Sequence, residues 1–202
     1  MSTICGIVHF DGRPVEVAQV RAMLKAVADR SPDGSHHWVQ NNLALGFGAL
    51  HTTAESSLAR QPLEDRETGL CIGFAGRVDN RGELSHLLGK AGHAPREESD
   101  AELILAAYSM WGEDCLDRIL GNFSVALWDE KQRRLFCARD LVGARPFYYY
   151  QSERSFFFAS EIRQLLALPE IPWTPNEGMI AEYLVSRMLN KSETQYQSIM
   201  RL

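Results

Sequence analysis

MSTICGIVHFDG, residues 1–12, carries the decisive signal of this chain. Ile4, Ile7 and Val8 make an apolar, β-branched run that ends at Asp11-Gly12, a turn pair, so the stretch reads as a strand. A cysteine stands near its head, at position 5, behind four other residues. Two readings of Cys5 are open: a small buried residue of a strand, or a nucleophile.

Working outward, Val17 to Asp29 carries apolar residues at helical spacing and stops before the turn sequence SPDG, residues 31–34. Strand-like segments follow at 36–40, 43–50 and 70–78, and with residues 4–10 they suggest a first sheet. Two helices come next, one beginning near Asn80 and one opened by Ser99-Asp100-Ala101-Glu102, where Ser99 and Glu102 have capping-box spacing. The second places Ala101, Ile104, Leu105 and Tyr108 on one face, as a helix packed on a sheet requires.

After a short helix around 113–119, NFSVALWD and RLFCARD flank the turn DEKQRR and read as a hairpin. FYYY and SFFFAS flank QSER and read as another. Strands in two batches, with helices between and after, predict an α+β fold with two sheets, each covered by helices. The aromatic run 147–150 with 156–158 belongs to hairpin packing rather than to a nucleic-acid platform, since nothing basic surrounds it. Beyond Leu168 the stretch LPEIPWTPNEG holds three prolines and reads as a linker, and the helix from Glu177 to Met188 then belongs to another unit.

Composition narrows the function classes. The chain has 202 residues, 45% of them hydrophobic, and a net charge of −5, which disfavours nucleic acid and anionic membrane as partners. No apolar run reaches membrane-spanning length and no signal-like leader opens the sequence, so a cytoplasmic location is expected. The four cysteines, Cys5, Cys71, Cys115 and Cys137, form no close pair, and no metal signature or disulfide framework follows. His36 and His37 are adjacent in a strand and point to opposite faces, which speaks against joint metal ligation. His51 has no visible partner. GFGAL and LVGARP lack phosphate-loop spacing. Arg139, Asp140 and Arg145 suggest an ion-pair network at a turn.

CGIVHFDG, RSPDG, RQPL, SDAELILAAYSMWGEDC, LGNFSVALWDEKQRRLFCARDLVGARPFYY and FFFASEIRQLL occur in the order in which the class II glutamine amidotransferase domain of the asparagine synthetase family carries such segments. The chain resembles that domain over nearly its whole length. The resemblance implies an N-terminal-nucleophile hydrolase fold, a four-layer αββα sandwich of two antiparallel sheets. It also implies a boundary: residues 1–168 as the glutamine amidotransferase type 2-like domain, and 169–202 as a linker and the beginning of an ATP-dependent synthetase domain. No ATP site is expected in this stretch; ATP and magnesium would belong to the synthetase domain.

The family's mechanism uses an N-terminal cysteine whose free α-amine is the base, with a donor pair for the oxyanion. By resemblance Cys5 is the catalytic position, and Gly76 and Asp100 are glutamine-binding positions. Asp100 reads equally well as a first-turn carboxylate favoured by the helix dipole. Three expected site positions depart from the pattern. Ala49 stands where the family has an arginine for the substrate carboxylate, Ala75 where it has the oxyanion asparagine, and Arg77 where it has a glutamate for the substrate ammonium. Only cleavage between Ile4 and Cys5 would give Cys5 a free amine.

The expectation is therefore a glutaminase-like domain of an asparagine-synthetase-like ATP-dependent amide ligase, with degraded glutamine hydrolysis and a structural or substrate-presenting role. One alternative is an active amidotransferase that binds glutamine and supplies ammonia after processing to Cys5. Another is a stand-alone interaction domain for a separate synthetase chain or a precursor peptide, which predicts a gene ending near Leu202; a homodimer is a further partner. ALHTTAESSLARQPL and GRVDNRGEL resemble the lasso-peptide cyclase subgroup, in which the acceptor brings its own amine.

Overall fold

The computed structural model describes residues 1–52, 60–95, 99–187 and 189–202. Thr3–His9 forms β1, and all seven residues are buried. Such a strand needs cover on both faces, and it receives it as a central strand, paired antiparallel with β3 (Leu43–Gly48) and β9 (Ser155–Ala159). β2 (Ser35–Gln40) joins β3 through Asn41, whose φ of 51° is the left-handed conformation asparagine tolerates in a tight hairpin turn. On the far side β9 pairs with β8 (Tyr148–Gln151), and β8 with β10 (Ile199–Arg201). The result is a six-stranded sheet in the order β10-β8-β9-β1-β3-β2.

The second sheet has four strands in the order β4-β5-β6-β7, from Leu63–Asp65, Leu70–Val78, Gly121–Asp129 and Arg134–Arg139. Residues 70–78 thus belong to this sheet and not, as expected, to the sheet of β1. The physical reason is that the late hairpin β8–β9 takes the free edge of β1, its largely apolar SFFFA strand burying Phe157 and Phe158.

Three cores separate four layers. The first sheet packs one face on α1 (Val17–Lys25) and α4 (Ile162–Leu165), through Val20, Met23, Leu24 and Leu165. The second sheet packs its outer face on α2 (Arg81–Lys90) and α3 (Asp100–Trp111), through Leu84, Leu88, Ile104 and Tyr108. Between the sheets lie Ile4, Leu45, Phe47, Phe147, Phe158 and Ala126, with Phe147 stacked on Phe158 at 5.2 Å. Each large side chain buried in this way contributes about 1.5–3 kcal/mol over its exposed state. This is the expected α+β sandwich of two antiparallel sheets.

The tail is tied to the first sheet. Ile171 and Ile199 are buried in the core under α1, and Thr194 donates its hydroxyl to the Ile199 carbonyl at 2.7 Å. α5 (Glu177–Leu184) leaves Tyr183 and Leu184 exposed.

Candidate functional site

Cys5 lies mid-ladder, opposite Gly46 on one side and Ala159 on the other. A Cβ placed on Gly46 would meet the Cys5 Sγ at 2.7 Å, Val20 at 3.0 Å and Leu24 at 3.3 Å. The thiol therefore rests over a glycine, under α1, fully buried. Burial pushes its pKa up to about 12. At neutral pH the buried thiol is held protonated, and a nucleophilic cysteine needs the thiolate.

The residues ahead of Cys5 are part of the sheet. Thr3 pairs with Gly48, the Ile4 N–H donates to Ser160 Oγ at 2.9 Å, and the Ser160 N–H donates to the Ile4 carbonyl at 2.9 Å. Ser2 Oγ accepts the Leu50 N–H at 3.1 Å. In this chain the nitrogen of Cys5 is an amide within a central strand, without the lone pair an α-amine offers as base.

Ala49 and Ala75 are brought together, in the core between the sheets, and the β1 residue that joins them is Ile4. Cys5 belongs to the core on the opposite face. Methyl groups thus stand at the positions where the resemblance placed a cation and an amide donor. The Ala49 N–H donates to the Gly34 carbonyl at 2.8 Å, which fastens the end of β3 to the SPDG turn. Next to it, the His51 N–H donates to Asp33 at 2.6 Å.

Gly76 is a glycine for a steric reason. Its φ is 156°, and a Cβ there would lie 2.3 Å from the Asn122 carbonyl oxygen and 2.5 Å from the Phe123 Cα, both backbone. Arg77 is largely exposed and its Nε donates to Asp79 at 2.6 Å.

Asp100 opens α3 behind the N-cap Ser99, whose Oγ accepts the Glu102 N–H at 3.2 Å. Its Oδ1 accepts a bond from the Arg81 guanidinium at 2.6 Å and its Oδ2 one from the Val78 N–H at 3.3 Å. A guanidinium from the start of α2 thus occupies the carboxylate that the resemblance gives to a substrate ammonium. Sequence reasoning missed Arg81, because nothing in NRGEL points to a carboxylate 19 residues on.

Asp140 does not form the expected ion-pair network. It accepts N–H groups of Phe123, Ala144 and Arg145, so it organises a turn instead. Burial would raise its pKa, but the backbone bonds from Ala144, Arg145, Phe123 and Val142 hold it below the ordinary carboxylate value. Among the described residues no three His, Cys, Asp or Glu side chains gather as metal ligands, and no helix is long and apolar enough to cross a membrane. Residues 53–59, within the stretch ALHTTAESSLARQPL, lie outside the described residues.

Two face-to-face antiparallel sheets between helix layers match the expected N-terminal-nucleophile hydrolase architecture. The chain belongs to the glutamine amidotransferase domain family, whose profile matches residues 1–202. Asparagine synthetase [glutamine-hydrolyzing] 3 of Bacillus subtilis is 36% identical to it over 174 residues, 85% of this chain and 28% of that protein. A putative asparagine synthetase [glutamine-hydrolyzing] 2 of Methanocaldococcus jannaschii is 30% identical over 189 residues, 85% of this chain and 36% of that protein. The chain thus spans about a third of the length of these relatives. Among solved structures, the glutamine phosphoribosylpyrophosphate amidotransferase of B. subtilis superposes with a TM-score of 0.66 at 18% identity, over 82% of this chain and 43% of that one. At that identity the likeness is one of fold.

Proposed function

We propose that this domain is the glutaminase-like part of an asparagine-synthetase-like amide ligase in which hydrolysis of glutamine has been lost, and that it serves as scaffold and substrate-presenting surface. One observation carries the reading: Cys5 is mid-strand, its nitrogen in a peptide bond, its thiol packed under α1 on the face opposite Ala49 and Ala75. For Cys5 to act, Thr3 and Ile4 would have to leave the ladder and the thiol would have to change faces. The partner is a synthetase domain, in which ATP and magnesium would activate a carboxylate; no residue of this chain is assigned to them. The amine joined to that carboxylate then comes from the acceptor itself, the reading that GRVDNRGEL also favours. The boundary of the domain near Leu168 belongs to the same proposal.

The test is alkylation by a chloroketone analogue of glutamine, followed by intact mass and peptide mapping of the folded chain. The reading requires that Cys5 remain unmodified. A stoichiometric adduct on a chain beginning at Cys5 would instead establish a processed amidotransferase.

A further inference from the structure

A cleft of about 310 Å³ opens between the end of β7, the loop to β8 and the last turn before β10, and it collects cations. Arg139, Lys191 and Arg201 line it, and among the described residues none of the side chains lining it is acidic. No hydrogen bond or ion pair is formed by these three side chains with any described residue. Arg139 and Arg201 are half-buried. Like charges gathered in a partly desolvated cleft repel one another and lack the counter-charge that normally accompanies such groups.

The nearby acids are spoken for by neutral donors. Asp140 is held by the backbone of its own turn. Glu193 accepts amide hydrogens from Asn176 at 2.7 Å and Asn190 at 2.8 Å, and Glu182 accepts the N–H groups of Leu189 at 2.9 Å and Asn190 at 3.3 Å. These bonds fix the loop that carries Lys191, while the carboxylates are kept off the arginines. Asn190 accepts from the backbone of Ser192 and Glu193 in the same loop, so it shapes the cleft rather than offering a free donor.

Gly143 supplies the wall. With φ of 66° it takes a left-handed turn, and a Cβ there would stand 2.9 Å from Nη1 of Arg139, so the guanidinium lies flat on glycine backbone. A guanidinium fixed in this way presents a planar fork of donors suited to tetrahedral or planar oxyanions. The cleft holds about ten water molecules' share of liquid volume, enough for a phosphate or pyrophosphate with part of its hydration.

The geometry points to a binding site for a compact phosphate-type oxyanion, held by Arg139, Arg201 and Lys191. The site is independent of Cys5 and of the glutaminase reading, since it is built from β7, the β7–β8 loop and the tail. The shared chemistry is a multiply charged phosphoryl group, whether a free ion or the end of a larger ligand.

The test is calorimetric titration of the chain with inorganic phosphate, pyrophosphate and AMP, with ionic strength held constant by sodium chloride. Single-site saturable binding of at least one of them is expected, weakened at least tenfold in Arg201→Gln and less in Arg201→Lys, which keeps the charge without the fork. A distant surface variant, Lys25→Gln, leaves it unchanged. Phosphate and pyrophosphate without AMP identify a free ion as ligand; AMP as well identifies a phosphate group on a larger one. Absence of saturable binding by all three, or binding that Arg201→Gln and Arg201→Lys leave intact, overturns the site.

Discussion

The guanidinium of Arg81 lies 2.6 Å from the carboxylate of Asp100, in a pair whose side chains are only 31% and 17% exposed. It joins the first turn of α2 to the first turn of α3 and engages the carboxylate that the resemblance gives to a substrate ammonium. Arg81→Ala removes a guanidinium bond from a half-buried acid and should cost about 1–3 kcal/mol in urea unfolding. Combined with Asp100→Asn, the loss should be less than additive by about 1 kcal/mol. Full additivity in that double-mutant cycle would mean the pair does no structural work.

Gly76→Ala forces a methyl group onto the Asn122 carbonyl and the Phe123 Cα, backbone atoms of the paired strand that no side-chain rotation can move aside. The expected loss is about 3 kcal/mol, seen as a lowered midpoint in denaturant with an unchanged slope. A neutral substitution would show that the two central strands of the second sheet separate easily at this point.

Ionisation of the buried Cys5 gives a pH signature. Its folded pKa is pushed up to about 12 from an ordinary value of 9.0, so the thiol is neutral in both states below pH 9 and its contribution is whole there. Above that point the unfolded chain ionises first, and stability falls by about 1.4 kcal/mol per pH unit from this thiol alone. Unfolding followed between about pH 8 and about pH 10 should show a shallower fall in Cys5→Ala than in the parent, by the increment of one proton. Equal slopes would place an accessible thiolate in the folded state.

Asp140 gives the opposite sign. Its depressed pKa means that its contribution is present above the ordinary carboxylate value and is lost as the pH falls through the folded one. Asp140→Asn should destabilise the chain by about 2–3 kcal/mol near neutrality, with the difference from the parent shrinking below about pH 4. A difference that does not narrow in acid would take the charge out of the explanation.

The elements were legible where local chemistry decides them. TICGIVH, NFSVALWD and SFFFAS are strands because β-branched and aromatic residues are bounded by turn residues, and Ser99 before DAELIL starts a helix because its hydroxyl caps an N–H. Partnership was less legible, since sheet order depends on contacts distant in sequence. The 70–78 strand joins the second sheet because β8–β9 returns to β1. Alternation shows that Ile4 and Cys5 face opposite sides of a strand, but which of them meets α1 follows only from the register against Gly46. Pro169, Pro172 and Pro175 mark a change of structure, yet the chain beyond them supplies an edge strand in β10. Arg81 meets Asp100, and Arg139 and Arg201 line one cleft, across spans that no spacing rule covers.

The most direct measurement is release of glutamate from glutamine by the purified chain, beside Cys5→Ala and with the intact mass determined on the same sample. The same background rate is expected for both proteins, with Ser2 or Met1 still at the N-terminus. Glutamate release that disappears in Cys5→Ala, from a chain whose first residue is Cys5, would contradict this expectation.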